Sequence, residues 1–284
     1  MSSYRFCRTD DIGLLVDALN RCWAPYFPDD PAMTPAAFKR SIRDLQVWCS
    51  SCMVAFAGPD PVGVLIGAKR PSATLIHKIA VHPDHTRQGH GRHLLESLGS
   101  KLAILGPPRI VAEVPDTLAA ARGLFTACGY VEEALLTDYV LPREDRPVLS
   151  ERKNDMRVEG FVIPVTIDDL AANGLLKEDH SQMCWERSSE SLSARKGEIT
   201  GLAVASHEGI EAYLLYTEGR DIAALRSLVD DGGARLKHLL SHLGAGTFRL
   251  AKVHPAELPQ EYAEALGFRP AGRHLLYSAD ARPE

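Results

Sequence analysis

Apolar residues in the first 141 positions recur at two spacings, one typical of helices and one typical of strands. Residues 89–102 predict a helix because their leucines fall on one helical face. Runs rich in Val, Ile and Ala, bounded by Gly, Pro and Asp, predict strands. The predicted helices are 9–19, 35–45, 89–102 and 117–127, and the predicted strands are 47–57, 62–68, 75–81, 109–114 and 134–141.

A similar order of elements returns in the second half. Between the halves, residues 142–159 are rich in charge and contain Pro142 and Pro147, which indicates a linker. The elements predicted beyond it are a hairpin at 201–206 and 210–217, strands at 222–228, 247–253 and 273–278, and helices at 233–243 and 257–266.

Three pairs of matching segments indicate that the two halves are duplicates. Residues 93–99 and 238–244 are identical at five of seven positions. Residues 124–130 and 262–268 each end a predicted helix with Gly before an aromatic residue. An Asp-Asp pair precedes Cys-Trp in both halves, at Cys22 and Cys184. The repeat predicts a first domain of residues 1–141, a linker of 142–159 and a second domain of 160–284.

The composition agrees with two globular domains. The chain has 284 residues, of which 45% are apolar, so each half can form a packed core. A net charge of −5 argues against a general binder of nucleic acid or anionic membranes. No apolar run is long enough to span a bilayer, and the first residues show no secretion signal. The six cysteines do not indicate a disulfide framework, so we expect a cytoplasmic protein with reduced thiols.

The strongest chemical signal is the segment Val81-His82-Pro83-Asp84-His85-Thr86-Arg87-Gln88-Gly89-His90-Gly91-Arg92. An apolar strand ends at Pro83, and a helix begins at the two glycines. Backbone N–H groups at the start of a helix bind anions, with support from the helix dipole. Arg87 and Arg92 add positive charge. The segment therefore predicts a site for a phosphate or a pyrophosphate.

The order strand, Val-x-Pro, polar loop, Gly-x-Gly and Leu-Leu helix resembles the acetyl-CoA site of the GCN5-related N-acetyltransferase (GNAT) family. The resemblance continues into residues 121–130, which are similar to that family's later helix and its Gly-aromatic exit. It implies an α/β fold of two tandem acetyltransferase-like domains, each with a central mixed β-sheet flanked by helices. The implied activity is transfer of acetyl from acetyl-CoA to a primary amine by direct attack in a ternary complex.

The resemblance also implies where acetyl-CoA would lie. Its pyrophosphate would contact the backbone N–H groups from Gln88 to Arg92, and its pantetheine arm would pair with the open edge of the strand 75–81. The N–H near Ile79 would stabilise the oxyanion formed when the amine attacks. The residues implied in cofactor binding are Ile79, Ala80, Val81, Arg87, Gln88, Gly89, His90, Gly91, Arg92 and Phe125.

The acid and the base of the reaction are left open. Phe125 stands where the family often has a tyrosine that protonates the departing thiolate, so Tyr139, Cys128 or a water takes that role, or the thiolate leaves unaided. The attacking ammonium, with a pKa of about 10, must also lose a proton. His77 and Glu113 are the candidate bases, directly or through water.

The acceptor is left open as well. Residues 23–30 form an aromatic and acidic loop in the region where the family commonly holds its acceptor, so a cationic amine would suit it. The amine of a small molecule or of a peptide would serve, the acyl chain length is open, and a homodimer is an open alternative. Neither Cys49-Ser50-Ser51-Cys52 nor the histidines of the loop have the spacing of a metal site, so no metal is expected.

The second half lacks the phosphate loop. Its sequence has Ala234 and Leu236 at the positions of the two loop glycines. Asp230 and Asp231 place negative charge where a phosphate would lie. We therefore expect a second domain that does not bind acetyl-CoA. This loss, together with Phe125, keeps a second hypothesis open, in which the chain is a non-catalytic acyl-CoA-binding or regulatory module.

Overall fold

The computed structural model describes residues 2–147, 160–176 and 183–281. The chain divides into two compact units, and the first of them is built from two separate parts of the sequence. The first unit contains Met1–Ala134 together with Leu275–Glu284, and the second contains Leu135–His274. The last ten residues thus belong to the same unit as the beginning of the chain.

The described residues form these strands and helices. The strands are β1 (Ser2–Phe6), β2 (Met53–Ala57), β3 (Asp60–Lys69), β4 (Ala73–Val81), β5 (Arg109–Pro115), β6 (Val131–Leu141), β7 (Phe161–Val165), β8 (Ile199–Ser206), β9 (Gly209–Thr217), β10 (Ile222–Ser227), β11 (Phe248–Val253) and β12 (Arg269–Asp280). The helices are α1 (Ile12–Cys22), α2 (Pro35–Leu45), α3 (His90–Leu105), α4 (Ala119–Ala127), α5 (Ile167–Ala172), α6 (Ser189–Ala194), α7 (Ala234–Ser241) and α8 (Gln260–Ala265).

The sheet of the first unit has the strand order β1-β2-β3-β4-β5-β12-β6. Strands β1 to β4 pair antiparallel, each with the next. Strand β5 pairs parallel with β4, but only from Ala73 opposite Arg109 to Leu75 opposite Val111. Beyond Leu75 the register of β4 with β5 stops, so the facing edges of the two strands are open from Ile76 onward.

Helices α3 and α4 cover one face of this sheet. Four leucines of α3 are fully buried or nearly so, and they pack with Ile110, Ala112 and Val114 of β5 and with Phe125 of α4. Burial of this apolar face, at about 25 cal/mol per Å², supplies most of the stabilisation that holds the helices to the sheet.

The second unit has its own core and a separate four-stranded sheet in the order β10-β9-β8-β7. Strand β11 pairs antiparallel with β6, and its Arg249 forms an isolated bridge with Asp221, the residue before β10. Leu236, Leu239 and Leu240 of α7 are buried in the core of this unit. The mixed sheet of the first unit and the flanking helices confirm the predicted α/β fold class. A mixed sheet was expected in each domain, but strands β7 to β10 of the second unit pair antiparallel throughout.

Most predicted elements are confirmed with small shifts at their ends. The helix 35–45 is present with the predicted bounds, and the Thr34 hydroxyl caps it by accepting a hydrogen bond from the Ala37 amide at 3.1 Å. Four elements were not predicted: the edge strands β1 and β7 and the short helices α5 and α6.

The strand expected at 47–57 begins only at Met53. Residues 49–51 form a single 3₁₀ turn instead, and Gly67 of β3 lies directly against it. A Cβ at position 67 would lie 2.5 Å from the Ser51 carbonyl oxygen. The 3₁₀ turn can therefore lie this close to β3 only because residue 67 has no side chain.

The domain boundary differs from the one that the sequence predicts. The compact units divide between Ala134 and Leu135, inside β6, and Leu275–Glu284 lies with the first unit. Residues 148–159 of the predicted linker lie outside the described residues. The physical reason for the difference is that β6 and β12 are long strands, each of which supplies residues to both units.

We expect Gly67→Ala to destabilise the first unit by about 2 kcal/mol, since a backbone oxygen must move to accept the methyl group. Gly99→Ala on α3 is the matched control, because nothing lies within 4 Å of the position that its Cβ would take and alanine favours the helix. Thermal unfolding of the two variants measures both effects. Equal melting temperatures would contradict the close approach at Gly67.

Candidate active site

The loop between β4 and α3 has the geometry of an anion site. Strand β4 ends at Val81, a 3₁₀ turn follows at Pro83–His85, and Gly89 caps α3 with a φ of 86°. The first bond of the helix runs from the His93 N–H to the Gly89 carbonyl at 3.0 Å. The amides of residues 90–92 precede that bond and have no acceptor within the helix, so they are suited to an anion.

Two arginines supply positive charge at this loop. Arg87 is exposed and has a φ of 61°, a left-handed conformation that costs a residue other than glycine about 1–2 kcal/mol. Arg92 is exposed on the first turn of α3. The guanidinium groups and the helix start together fit the pyrophosphate that the sequence predicts, and Gln88 and Gly89 are exposed beside them.

The side chain of His90 is buried against Tyr4 of β1 and does not extend into solvent at the loop. It is 2% exposed, and its Nδ1 lies 2.8 Å from the Tyr4 hydroxyl oxygen of β1. Burial lowers the pKa of His90, and the neighbouring His85 and His93 lower it further. A neutral, buried imidazole leaves only the backbone amide of His90 for an anion.

Gly91 has a packing role that the sequence did not indicate. A Cβ at this position would lie 3.0 Å from Cδ2 of Leu124 on α4. The missing side chain therefore lets α3 and α4 approach each other closely. At Gly89 the requirement is conformational instead, because no atom lies within 4 Å of its Cβ position but its φ is positive.

The opening between β4 and β5 fits the extended arm that the sequence predicts there. Ile79, Ala80 and Val81 lie on β4 beyond the last residue paired with β5. Their outer edge is therefore not part of the β4–β5 ladder, and an extended chain could add to it as a strand would. His77 is the extra residue of a bulge, since Lys78 pairs with Ile66 while Ile76 pairs with Gly67.

The candidate base Glu113 lies on the sheet face opposite α3. Ala112 and Val114, on either side of it, pack in the core beneath α3, so alternation along β5 places Glu113 on the other face. His77 and Glu113 are both half-buried and both make side-chain interactions.

The aromatic loop after α1 lies against β4. The Trp23 and Phe27 rings stack at 4.4 Å with an angle of 18°, and the Trp23 Nε1–H donates to Asp30 at 3.3 Å. The Tyr26 hydroxyl donates to the Val81 carbonyl at 2.8 Å. The cation over the Trp23 ring belongs to the protein itself, because Lys78 Nζ lies 3.7 Å from the ring centroid. Sequence reasoning did not identify Lys78, since the contact joins segments far apart in the chain.

Phe125 is buried at the centre of an aromatic cluster. Its ring stacks on Tyr277 of β12 at 5.6 Å with an angle of 16°, and it meets Tyr130 edge-to-face at 5.1 Å. Tyr139, one of the predicted acids, lies instead in the core of the second unit, where it packs against Phe268. Cys128 is half-buried at the end of α4, and burial raises the pKa of its thiol.

The second unit fills its own version of the anion site. Gly233 caps α7 with a φ of 85°, much as Gly89 caps α3. The Asp231 carboxylate accepts hydrogen bonds from the amides of Gly233 and Arg235, both at 2.9 Å, and from the Arg235 guanidinium at 3.0 Å. Burial raises the pKa of Asp231, but these hydrogen bonds outweigh it and the net pKa is lowered. The helix start is occupied by a carboxylate of the chain itself.

A second internal group occupies the edge of β11. The buried Arg187 guanidinium donates to the Ala251 and Lys252 carbonyls and forms an ion pair with Glu257 at 2.6 Å. The edge of β11, which corresponds to the β4–β5 opening of the first unit, is thus occupied by side chains of the protein itself. Both observations agree with a second copy that does not bind acetyl-CoA.

Among the described residues, neither the thiols nor a cluster of metal ligands forms another candidate site. Burial raises the pKa of Cys7 to about 12 and also raises that of Cys52, so both are protonated at neutral pH. Among the described residues, no group of three or more His, Cys, Asp or Glu side chains could hold a metal ion. In that same part of the chain, no helix combines the length and the apolar character needed to cross a membrane.

The sequence model of the acetyltransferase (GNAT) family matches residues 15–130. No curated protein sequence matches the chain.

Solved structures share the fold over the whole chain. A tandem GNAT protein from the clavulanic acid biosynthesis pathway is 17% identical, with all of both chains covered and a TM-score of 0.65. A putative acetyltransferase from Pyrococcus horikoshii is 18% identical, with 100% of this chain and 90% of that chain covered and a TM-score of 0.61. A GCN5-related N-acetyltransferase from Sphaerobacter thermophilus is 14% identical, with 99% and 96% covered and a TM-score of 0.68.

We expect Asp231→Asn to lower the stability of the second unit by about 1–3 kcal/mol at neutral pH, because the variant loses charge-assisted hydrogen bonds. The native pKa of Asp231 is lowered, so its stabilisation is present above the unfolded-state pKa of an aspartate and is lost as the pH falls through the native value. Thermal unfolding between neutral and acid pH should therefore show the difference shrinking in acid.

Asp230→Asn is the matched control, since Asp230 is exposed next to Asp231. Equal effects of the two substitutions would contradict a carboxylate that holds the start of α7.

Proposed function

We propose that the protein is an acyl-CoA-dependent N-acetyltransferase, because the sequence model of the acetyltransferase (GNAT) family matches residues 15–130. It moves an acetyl group from acetyl-CoA to a primary amine of a small molecule or a peptide, by direct attack in a ternary complex. The observation that carries the proposal is that the amide-rich start of α3 directly follows the strand that separates from β5.

The binding roles follow from this arrangement. The backbone amides of Gln88 to Arg92, with Gly89, His90 and Gly91 between them, take the pyrophosphate, and the Arg87 and Arg92 guanidinium groups add to its binding. The edge at Ile79, Ala80 and Val81 takes the pantetheine arm as an added strand. Phe125 gives the bound arm an apolar neighbour. The Ile79 amide serves as a fixed donor for the developing oxyanion.

The amine acceptor approaches from the face that carries Glu113 and Trp23. Glu113 is the base that we favour on this face, directly or through one water, and His77 is the alternative at the bulge of β4. Proximity in the ternary complex supplies a large part of the rate enhancement.

The active part of the chain is the first domain, residues 1–141 as the sequence divides it, with the C-terminal strand that joins its sheet. The second domain does not bind acetyl-CoA, in keeping with Asp231 at the start of α7. All six cysteines are free thiols, which supports a cytoplasmic location.

A second candidate function is a non-catalytic acyl-CoA-binding or regulatory module. The observation that favours it is the absence of a hydroxyl group on Phe125. An assay of free thiol release, with acetyl-CoA and a panel of polyamines, amino acids and peptide N-termini, separates the two functions. Turnover with any amine supports the enzyme, and binding without turnover supports the module.

Titration calorimetry tests the cofactor site directly. Arg92→Glu places a negative charge beside the amides of the α3 start, so we expect it to weaken acetyl-CoA binding at least tenfold, and less so at high salt. Arg40→Glu on α2 is the matched control, since Arg40 is exposed and makes the same change of net charge. Equal dissociation constants for the two variants, or no heat from the wild-type protein at millimolar acetyl-CoA, would contradict an acetyl-CoA site at the start of α3.

A further inference from the structure

We propose that Tyr277, on the C-terminal strand β12, supplies the proton to the departing CoA thiolate, directly or through one water. The inference rests on the proposed acetyltransferase function and assigns the acid that Phe125 cannot be. It gives a catalytic task in the first unit to a residue more than 100 positions away from the rest of the site.

Tyr277 lies on a strand next to β5 in the sheet. Strand β12 is the neighbour of β5, and the Ala281 N–H donates to the Pro108 carbonyl, just before β5 begins. Two neighbouring strands of which one ends where the other starts must run antiparallel. Counting from this bond places Tyr277 beside Ala112.

Ala112 is the first residue of β5 after the last β4–β5 pair, which joins Leu75 to Val111. Tyr277 therefore lies level with the point where the two strands separate. Its side chain lies on the α3 and α4 face, because Tyr277 packs in the same core cluster as Ala112 and Phe125.

The ring of Tyr277 also lies next to the residue that the resemblance places beside the thioester. The rings of Tyr277 and Phe125 stack nearly parallel, with their centroids 5.6 Å apart. The ring stacked on Phe125 therefore carries a hydroxyl group. Tyr130 is the other tyrosine in this cluster, but it meets Phe125 at 81°, and burial strongly raises the pKa of its phenol. Tyr130 therefore serves as the control residue.

Tyr277 also borders an open cavity of about 500 Å³ within the first unit. Small residues of α4, including Gly123 and Ala127, form one wall, and Arg122 and Glu132 line it as well. No atom lies within 4 Å of a Cβ placed on Gly123, so the space beside it is open. Water in this cavity can return a proton to the phenolate after each turnover.

The proton balance of the step is closed. The amine nitrogen forms a bond to the acetyl carbon, the carbon–sulfur bond breaks, and its electron pair goes to sulfur. The Tyr277 phenol protonates the sulfur to give free CoA thiol. The attacking ammonium loses two protons, one to the base before attack and one as the tetrahedral intermediate collapses, and both pass to solvent. Water returns one proton to Tyr277. The net products are the acetamide, CoA thiol and one proton.

The test compares three variants of the full chain. We expect Tyr277→Phe to lower kcat about 10- to 100-fold, with little change in KM for acetyl-CoA. The dependence of kcat on pH should change as well. Tyr130→Phe should keep the wild-type rate and profile. Phe125→Tyr in the Tyr277→Phe background should restore activity at least partly, because it places a phenol in the adjacent layer.

Each result decides a separate point. If wild-type protein turns over an amine and Tyr277→Phe keeps its kcat and pH profile, the assignment of Tyr277 is overturned while the proposed function stands. An equal loss in Tyr130→Phe, or a loss in Tyr277→Phe that Phe125→Tyr does not relieve, would reduce Tyr277 to a packing residue. If the wild type binds acetyl-CoA without turnover, the proposed function fails, and this inference fails with it.

Discussion

The separation of β4 from β5 is the constraint on which the first unit depends. A parallel pair that continued to the ends of both strands would satisfy the backbone groups of β4 and leave no edge for an extended ligand. Pairing stops at Leu75 and Val111 instead, and the bulge at His77 lies two residues further along β4. The opening and the aromatic loop of Trp23 both lie along the residues of β4 that follow this point, and the loop to α3 begins where β4 ends.

The starts of α3 and α7 share a backbone conformation and differ in the acceptor that lies beside them. Both helices begin at a glycine with almost the same positive φ, so the backbone of the helix start is retained in each. In the second copy the Asp231 carboxylate accepts the hydrogen bonds that an anionic ligand would otherwise accept. The start of α7 is therefore occupied by an internal group, although its glycine has the same conformation as the one that begins α3.

The sequence predicted the local features of this protein well and the long-range ones poorly. The strand, loop and helix of residues 75–102 were predictable because Pro83, Gly89 and the leucine spacing act within a few residues. The 3₁₀ turn before Met53 was missed because it depends on Gly67, which lies on a different strand. Lys78 over Trp23 and Tyr277 on Phe125 were missed for the same reason, since each contact requires knowing which strands are neighbours. Tyr139 was assigned to the first domain by position in the chain, although β6 carries it into the core of the second unit.

The return of residues 275–281 to the first unit has a consequence for biosynthesis. During translation the strands β1 to β5 are made before the second unit, but their sheet lacks the strand next to β5 until residues 275–280 of β12 have followed that unit. Contacts of such high sequence separation form late, because a long loop must close first. Until then the apolar side of β5 and the Phe125 ring lack their partner and are exposed to wrong associations. The first unit is thus completed only after the second has been synthesised.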